Sequence, residues 1–215
     1  MRALIIKDLL NLKSYFKQLI FIYGFYLVFS LMGVWDISFF ISIATLLGAM
    51  MFISTMSYDE MSRWDAFAIS SPISRKDLVT SKYLLMLLSL LGNTGFSLLI
   101  GIPIMLIQDS LALSELLAYT GIITLVITTG FSIILYLAFK VGIEKARIAM
   151  MAVFLVPTAL IFILGKNMNQ LGISIKNINW EQMWPALAAG AALTTIVVIL
   201  VTYCLSVKTV QKKEY

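Results

Sequence analysis

The chain has 215 residues, 60% of them hydrophobic and 13% charged, with a formal net charge of +5, no histidine and one cysteine. Soluble globular domains carry about 25% charged residues, so this composition and a mean hydropathy of +0.96 exclude an ordinary soluble fold and indicate a membrane protein. Cys204 stands alone and there is no histidine, which excludes an intrachain disulfide and a Cys/His metal set.

Six uncharged runs are each long enough to cross a bilayer: about 18–35, 37–58, 83–108, 116–139, 148–165 and 185–207. The shorter ones, of 18 residues, span ~27 Å as helix, just enough for a ~30 Å hydrocarbon core. The runs lack strict alternation and are about twice the length of a barrel strand. The expectation is an all-α membrane protein forming one domain over 1–215, with six transmembrane helices and no cleavable signal peptide.

Orientation follows from lysine and arginine. The N-terminus, the 57–82 segment, the 140–147 loop and the C-terminus hold fourteen of them; the other side holds Lys166 and Lys176. Both termini are therefore expected in the cytoplasm. The basic residues are dispersed loop by loop, which argues against nucleic-acid binding.

In chain order, residues 2–17 read as an amphipathic helix. Ile5, Leu9, Leu12 and Phe16 share one face, and Lys7, Asn11, Ser14 and Gln18 another. Such a helix either lies in the headgroup layer with its lysines near anionic lipid or extends the first span. The first span is aromatic and ends at Trp35, leaving Asp36 as a tight external turn. The second has a polar, methionine-rich end: Met50, Met51, Ser54, Thr55. Methionine suits adaptable apolar surfaces, so these residues read as ordinary packing or as part of a substrate path.

Residues 57–82 carry eight of the 27 charges. Ser57 and Glu60 match a capping box that would start a short helix over about 58–70. Asp59 and Arg63 are spaced to pair within it. Met61, Trp64 and Phe67 fall on one face, and Pro72 ends it. Ser74 and Asp77 then cap a second helix running into span three. That span contains Asn93, read as an interhelical hydrogen-bond partner or a substrate contact, and Pro103.

Thr120, Thr124 and Thr128 make a polar stripe on span four that is expected to pack against another helix. Pro157 is a kink site in span five. Residues 166–184 form an external segment, half-embedded, with room for a re-entrant helix. Ala186/Gly190 and Ala188/Ala192 are small pairs suited to tight packing.

The chain has no GxxxxGK[ST] phosphate loop, no HExxH and no GxSxG. No expected span contains an ionisable side chain other than tyrosine and Cys204, which disfavours an ion-coupled carrier. Energy would have to reach the protein from outside the bilayer.

The 57–82 segment also carries a resemblance. Asp59-Glu60, Arg63-Trp64-Asp65, Phe67, Ser71-Pro72-Ile73-Ser74-Arg75 and Ser81-Lys82-Tyr83, together with KDLLNLK near the N-terminus, resemble the type-2 permease subunits of bacterial ATP-binding cassette exporters. The similarity is greatest to the short branch that includes phenol-soluble modulin exporter permeases. The resemblance implies that the first cytoplasmic loop is a coupling helix docking into a separate ATPase subunit. The docking residues would be Asp59, Glu60, Arg63, Trp64, Asp65 and Phe67, beside a turn with Pro72, Arg75 and Lys76. It further implies pairing with a second copy or a related permease, ATP and Mg held by the partner and no cofactor in this chain, and export of an amphipathic cargo, most simply a peptide, across a bacterial cytoplasmic membrane. The competing readings are a membrane sensor or assembly factor that binds another soluble partner through the same loop, and a secondary carrier.

Overall fold

A computed structural model describes residues 2–64, 67, 74–108, 112–170 and 180–212. Seven helices and no strand occur among them: α1 Arg2–Asn11, α2 Lys13–Leu31, α3 Ile37–Met61, α4 Arg75–Gln108, α5 Leu113–Val141, α6 Ile143–Gln170 and α7 Trp180–Lys212. Among the described residues, α3, α4, α5 and Ala186–Lys212 of α7 are each long and apolar enough to cross a membrane, and α1 with α2 passes as a bent fifth. The protein is a multi-pass membrane protein. Helix α6 covers the run expected as the fifth crossing.

Packing is organised around α3, α4 and α5. Helix α3 lies along α4, and α5 lies against both α6 and α7. Phe52 meets Phe131 edge to face at 5.6 Å in the larger core cluster, with Leu85, Met86, Leu90 and Leu135. A second cluster joins Tyr23 of α2 to Phe40, Ile41 and Ala44 of α3 and Ile104 of α4. Within a bilayer such contacts are held by close packing and interhelical hydrogen bonds, because lipid tails are as apolar as leucine.

Several expectations are corrected here. Residues 2–17 are not one helix: α1 and α2 meet at Leu12 with a bend of 55°. The inward face of α1 is Leu4, Asp8 and Leu12, while Leu9 and Phe16 point outward. The cause is Asp8, whose carboxylate is drawn inward by Lys82. The 140–147 loop shrinks to Gly142 alone, between α5 and α6, with φ +89. A side chain there would be strained and would lie 3.2 Å from a carboxylate oxygen of Glu60, so glycine is required. Among the described residues nothing comes near a Cβ at Gly190, and Ala186 and Gly190 are exposed. Helix α7 instead buries Thr195, Thr202 and Ser206.

Other expectations hold. The Asp77 amide donates to Ser74 Oγ at 3.0 Å, capping α4 where the sequence pattern places it. Along the threonine stripe of α5 the hydroxyls donate to carbonyls one turn back. Thr124 also faces Thr94 of α4 at 3.4 Å, and the neighbouring Thr129 bonds Thr195 of α7 at 2.9 Å. The core of the 166–184 segment, where a re-entrant helix was expected, lies outside the described residues.

Candidate functional site

The charged segment after α3 begins differently from its sequence pattern. Ser57 is not an N-cap. Helix α3 continues to Met61, and Ser57 Oγ donates to the Ile53 carbonyl at 3.0 Å. No proline interrupts 37–61, so nothing in the chain stops the helix sooner. Residues 58–61, expected as the first turn of a separate coupling helix, are the last turn of α3. The break falls at Arg63, whose φ is +50, a conformation costly for a side chain with a Cβ. The backbone turns helical again at Trp64 and Phe67, and the Phe67 amide lies 3.5 Å from the Arg63 carbonyl. Asp65 and Pro72 lie outside the described residues.

The expected Asp59–Arg63 pair does not form. Asp59 is buried, and its two oxygens accept from Lys7 of α1 at 2.6 Å and Lys82 of α4 at 2.5 Å. Lys82 also donates to Asp8 at 2.8 Å, and Lys7 lies 3.1 Å from the other Asp8 oxygen. Two cations and two anions thus close a neutral cluster joining α1, α3 and α4. Asp8 is 1% exposed and Lys82 4%. Charges this deep persist only when paired, and removing one partner leaves the other stranded.

Glu60 points the opposite way. It accepts from the Ile143 amide at 2.9 Å, so it caps the start of α6 from outside that helix. Ser57 accepts from Arg147 of α6 at 2.6 Å. Arg75 donates to the Val210 and Gln211 carbonyls at 3.2 and 2.6 Å, gripping the end of α7, where a cation complements the helix dipole. Thr80 and Tyr83 of α4 add hydroxyl contacts to Tyr203 and Ser206 of α7. The last turn of α3 and the first turns of α4 are therefore tied to α1, α6 and α7 at this one end of the bundle.

Beyond the break the described side chains are the aromatic pair Trp64 and Phe67. Trp64 is half-buried, with its ring 5.2 Å from that of Phe67 and Lys7 Nζ 4.3 Å above it. Met61 is 83% exposed and Phe67 60%. The structure brings together Asp59, Glu60, Trp64 and Phe67, and separates Arg75, which serves α7. Lys76 is exposed nearby. Lys7 and Asp8 belong to the site, whereas the sequence placed Lys7 only on a polar helix face and both residues only within KDLLNLK. Their signal is Leu4-Asp8-Leu12: an acid midway along a leucine stripe at helical spacing.

The five residues offered as a path divide. Met50, Met51 and Ser54 line a groove of about 410 Å³ between α2, α3 and α6, with Arg147 at its edge. Thr55 is buried and bonds the Phe52 carbonyl at 2.7 Å. Asn93 is an interhelical hub: it accepts from Tyr23 at 2.8 Å, and its amide donates to the Ser89 carbonyl at 2.8 Å and to Met51 Sδ at 3.6 Å. Its side chain occupies the space a Cβ at Gly48 would need.

The Glu60 cap gives a local test. Glu60→Gln keeps an acceptor oxygen and should leave the α6 start intact. Glu60→Ala should raise amide hydrogen exchange at the first turn of α6 about fivefold, the loss expected for an N-terminal cap.

No nucleophile–base pair appears in this cluster, and no group of metal-ligating side chains occurs among the described residues. The arrangement suits mechanical linkage: the end of α3 is tied by ion pairs and hydrogen bonds to the surrounding helices. A family model described as ABC-2 family transporter protein matches residues 3–211. No curated protein and no solved structure matches the chain.

Proposed function

Because the chain belongs to the ABC-2 family of transporter proteins, in which the membrane subunit works with an ABC ATPase, we propose that it is the permease of an ATP-driven exporter and that residues 59–76 dock into the ATPase. The basic end of the bundle faces the cytoplasm of a bacterial cell, and the single 1–215 domain crosses its cytoplasmic membrane six times. Two permeases, identical or related, assemble with two ATPases, which hold ATP and Mg. The cargo is amphipathic, most simply a peptide as in the phenol-soluble modulin branch.

The observation that carries this reading is the exposure of Met61 and Phe67 around the end of α3, beside the buried Asp59 carboxylate that ties this end to α1 and α4. An apolar knob with a partly desolvated tryptophan beside it is the composition of an interface hot spot. Trp64, Phe67 and Asp65 form the contact, with Arg63, Pro72 and Lys76 around it. Asp59 and Glu60 hold the contact in place from behind, and Arg75 holds the start of α4 to the end of α7. A push on this element reaches α1 and α4 through Asp59, and α6 through Glu60.

The test is co-purification. Tagged protein drawn from its own membranes should bring down a soluble subunit containing a phosphate-binding loop, and the pair should hydrolyse ATP. Recovery of a soluble partner without ATPase motifs would favour the sensor reading. Transport that survives ATP depletion but stops when the proton gradient collapses would favour a secondary carrier.

A further inference from the structure

We propose that the recess between the α1–α2 bend and the far end of α3 is a binding site for the headgroup of an anionic phospholipid, whose acyl chains run outward along α2. The recess has a volume of about 870 Å³ and is walled by Lys7, Lys13, Lys17, Tyr58, Ser62 and Trp64. Asp59 also reaches it, but its charge is already neutralised by Lys7 and Lys82. Lys13 and Lys17 are exposed one turn apart on α2. Among the described residues the ion pairs involve only Lys7, Asp8, Asp59 and Lys82. Two surplus positive charges therefore face this space.

The apolar side of the ligand is specified by what adjoins it. Lys17 also borders a second, open groove of about 460 Å³ with Gln18, Phe21 and Ile22, further along α2. Ile20 and Phe21 point outward there, at 67% and 78% exposure, and Leu10 of α1 is 67% exposed. Charge complementarity asks for an anion at Lys13 and Lys17, and the groove that shares Lys17 asks for hydrocarbon beside it. A bilayer phospholipid with a net negative headgroup supplies both. A soluble anion would leave the groove empty. Such a lipid would seat against Trp64 and stiffen the junction between the bent N-terminal helices and the end of α3.

The experiment uses the intact protein in bilayer discs of equimolar phosphatidylglycerol and phosphatidylcholine, followed by mild detergent extraction and native mass spectrometry of retained lipid. Phosphatidylglycerol should be retained about tenfold over phosphatidylcholine, and Lys13→Gln/Lys17→Gln should bring the ratio near one. Both lysines are exposed, so folding is not at stake. Lys145→Gln/Lys208→Gln removes the same charge from other exposed positions and should leave the ratio unchanged. The proposal fails if the two double variants lose retention equally, which would mean diffuse attraction. It also fails if Lys13→Gln/Lys17→Gln retains phosphatidylglycerol normally, or if millimolar inorganic phosphate displaces the lipid.

Discussion

Lys82→Met is expected to destabilise the protein by about 3–5 kcal/mol, the cost of breaking a buried ion cluster by deleting one member. Lys82 donates to both Asp8 and Asp59, and all three are buried. Without the ammonium group two carboxylates remain enclosed, and Lys7, itself partly exposed, is left to balance both. Marginal stabilities of about 5–15 kcal/mol make a loss of this size visible as poor accumulation in the membrane and a lower midpoint in thermal unfolding of the detergent-solubilised protein. The companion Asp8→Leu/Lys82→Met removes one charge of each sign and leaves the Lys7–Asp59 pair. It should recover most of the loss, because replacing a buried pair by apolar groups is often close to neutral. The double-mutant cycle then measures the coupling directly. A Lys82→Met protein as stable as the parent would show that this cluster does not hold the three helices together.

Trp64→Ala with Phe67→Ala is expected to act mainly on function. Phe67 is largely exposed, whereas Trp64 is half-buried, packs against the larger core cluster and carries the Lys7 contact, the latter worth about 0.5–1 kcal/mol at such a site. Thermal unfolding of the membrane subunit should therefore fall modestly for the pair and stay at the parental value for Phe67→Ala alone, which serves as the control for the fold. If the pair inserts into an ATPase cleft, each ring contributes at hot-spot scale, about 2 kcal/mol or more. Association with the ATPase should weaken at least thirtyfold, and stimulation of ATP hydrolysis by the permease should be lost while the isolated ATPase keeps its basal rate. Undiminished stimulation by this variant would place the docking surface elsewhere. The two experiments separate the clamp from the contact: Lys82 acts on the lever's base, Trp64 and Phe67 on its tip.

The helical character of the described residues and the approximate positions of the four helices that can each cross a membrane were readable from the chain alone, because a bilayer leaves the backbone few alternatives and apolar run length reports directly on crossing. The cap at Ser74 was equally legible, since a cap depends on residues three apart. The capping box at Ser57 and Glu60 had the same local form and was wrong. There the signal competed with an uninterrupted helix on one side and with the Ile143 amide on the other. That amide is 83 residues away, and no local pattern can register it. Asp59 shows the same limit. Its spacing to Arg63 suggested a pair within one helix, yet its partners come from α1 and α4.

Composition and run length thus settled that this chain lives in a membrane and is helical, since these depend on transfer energies summed over contiguous residues. Which charges are buried, which carboxylate caps which helix, and which aromatic rings are left facing outward were decided by how the helices come together. Electrostatic partners are chosen by proximity in space, and at the foot of α3 that proximity joins Asp59 to residues 7 and 82 and Glu60 to residue 143.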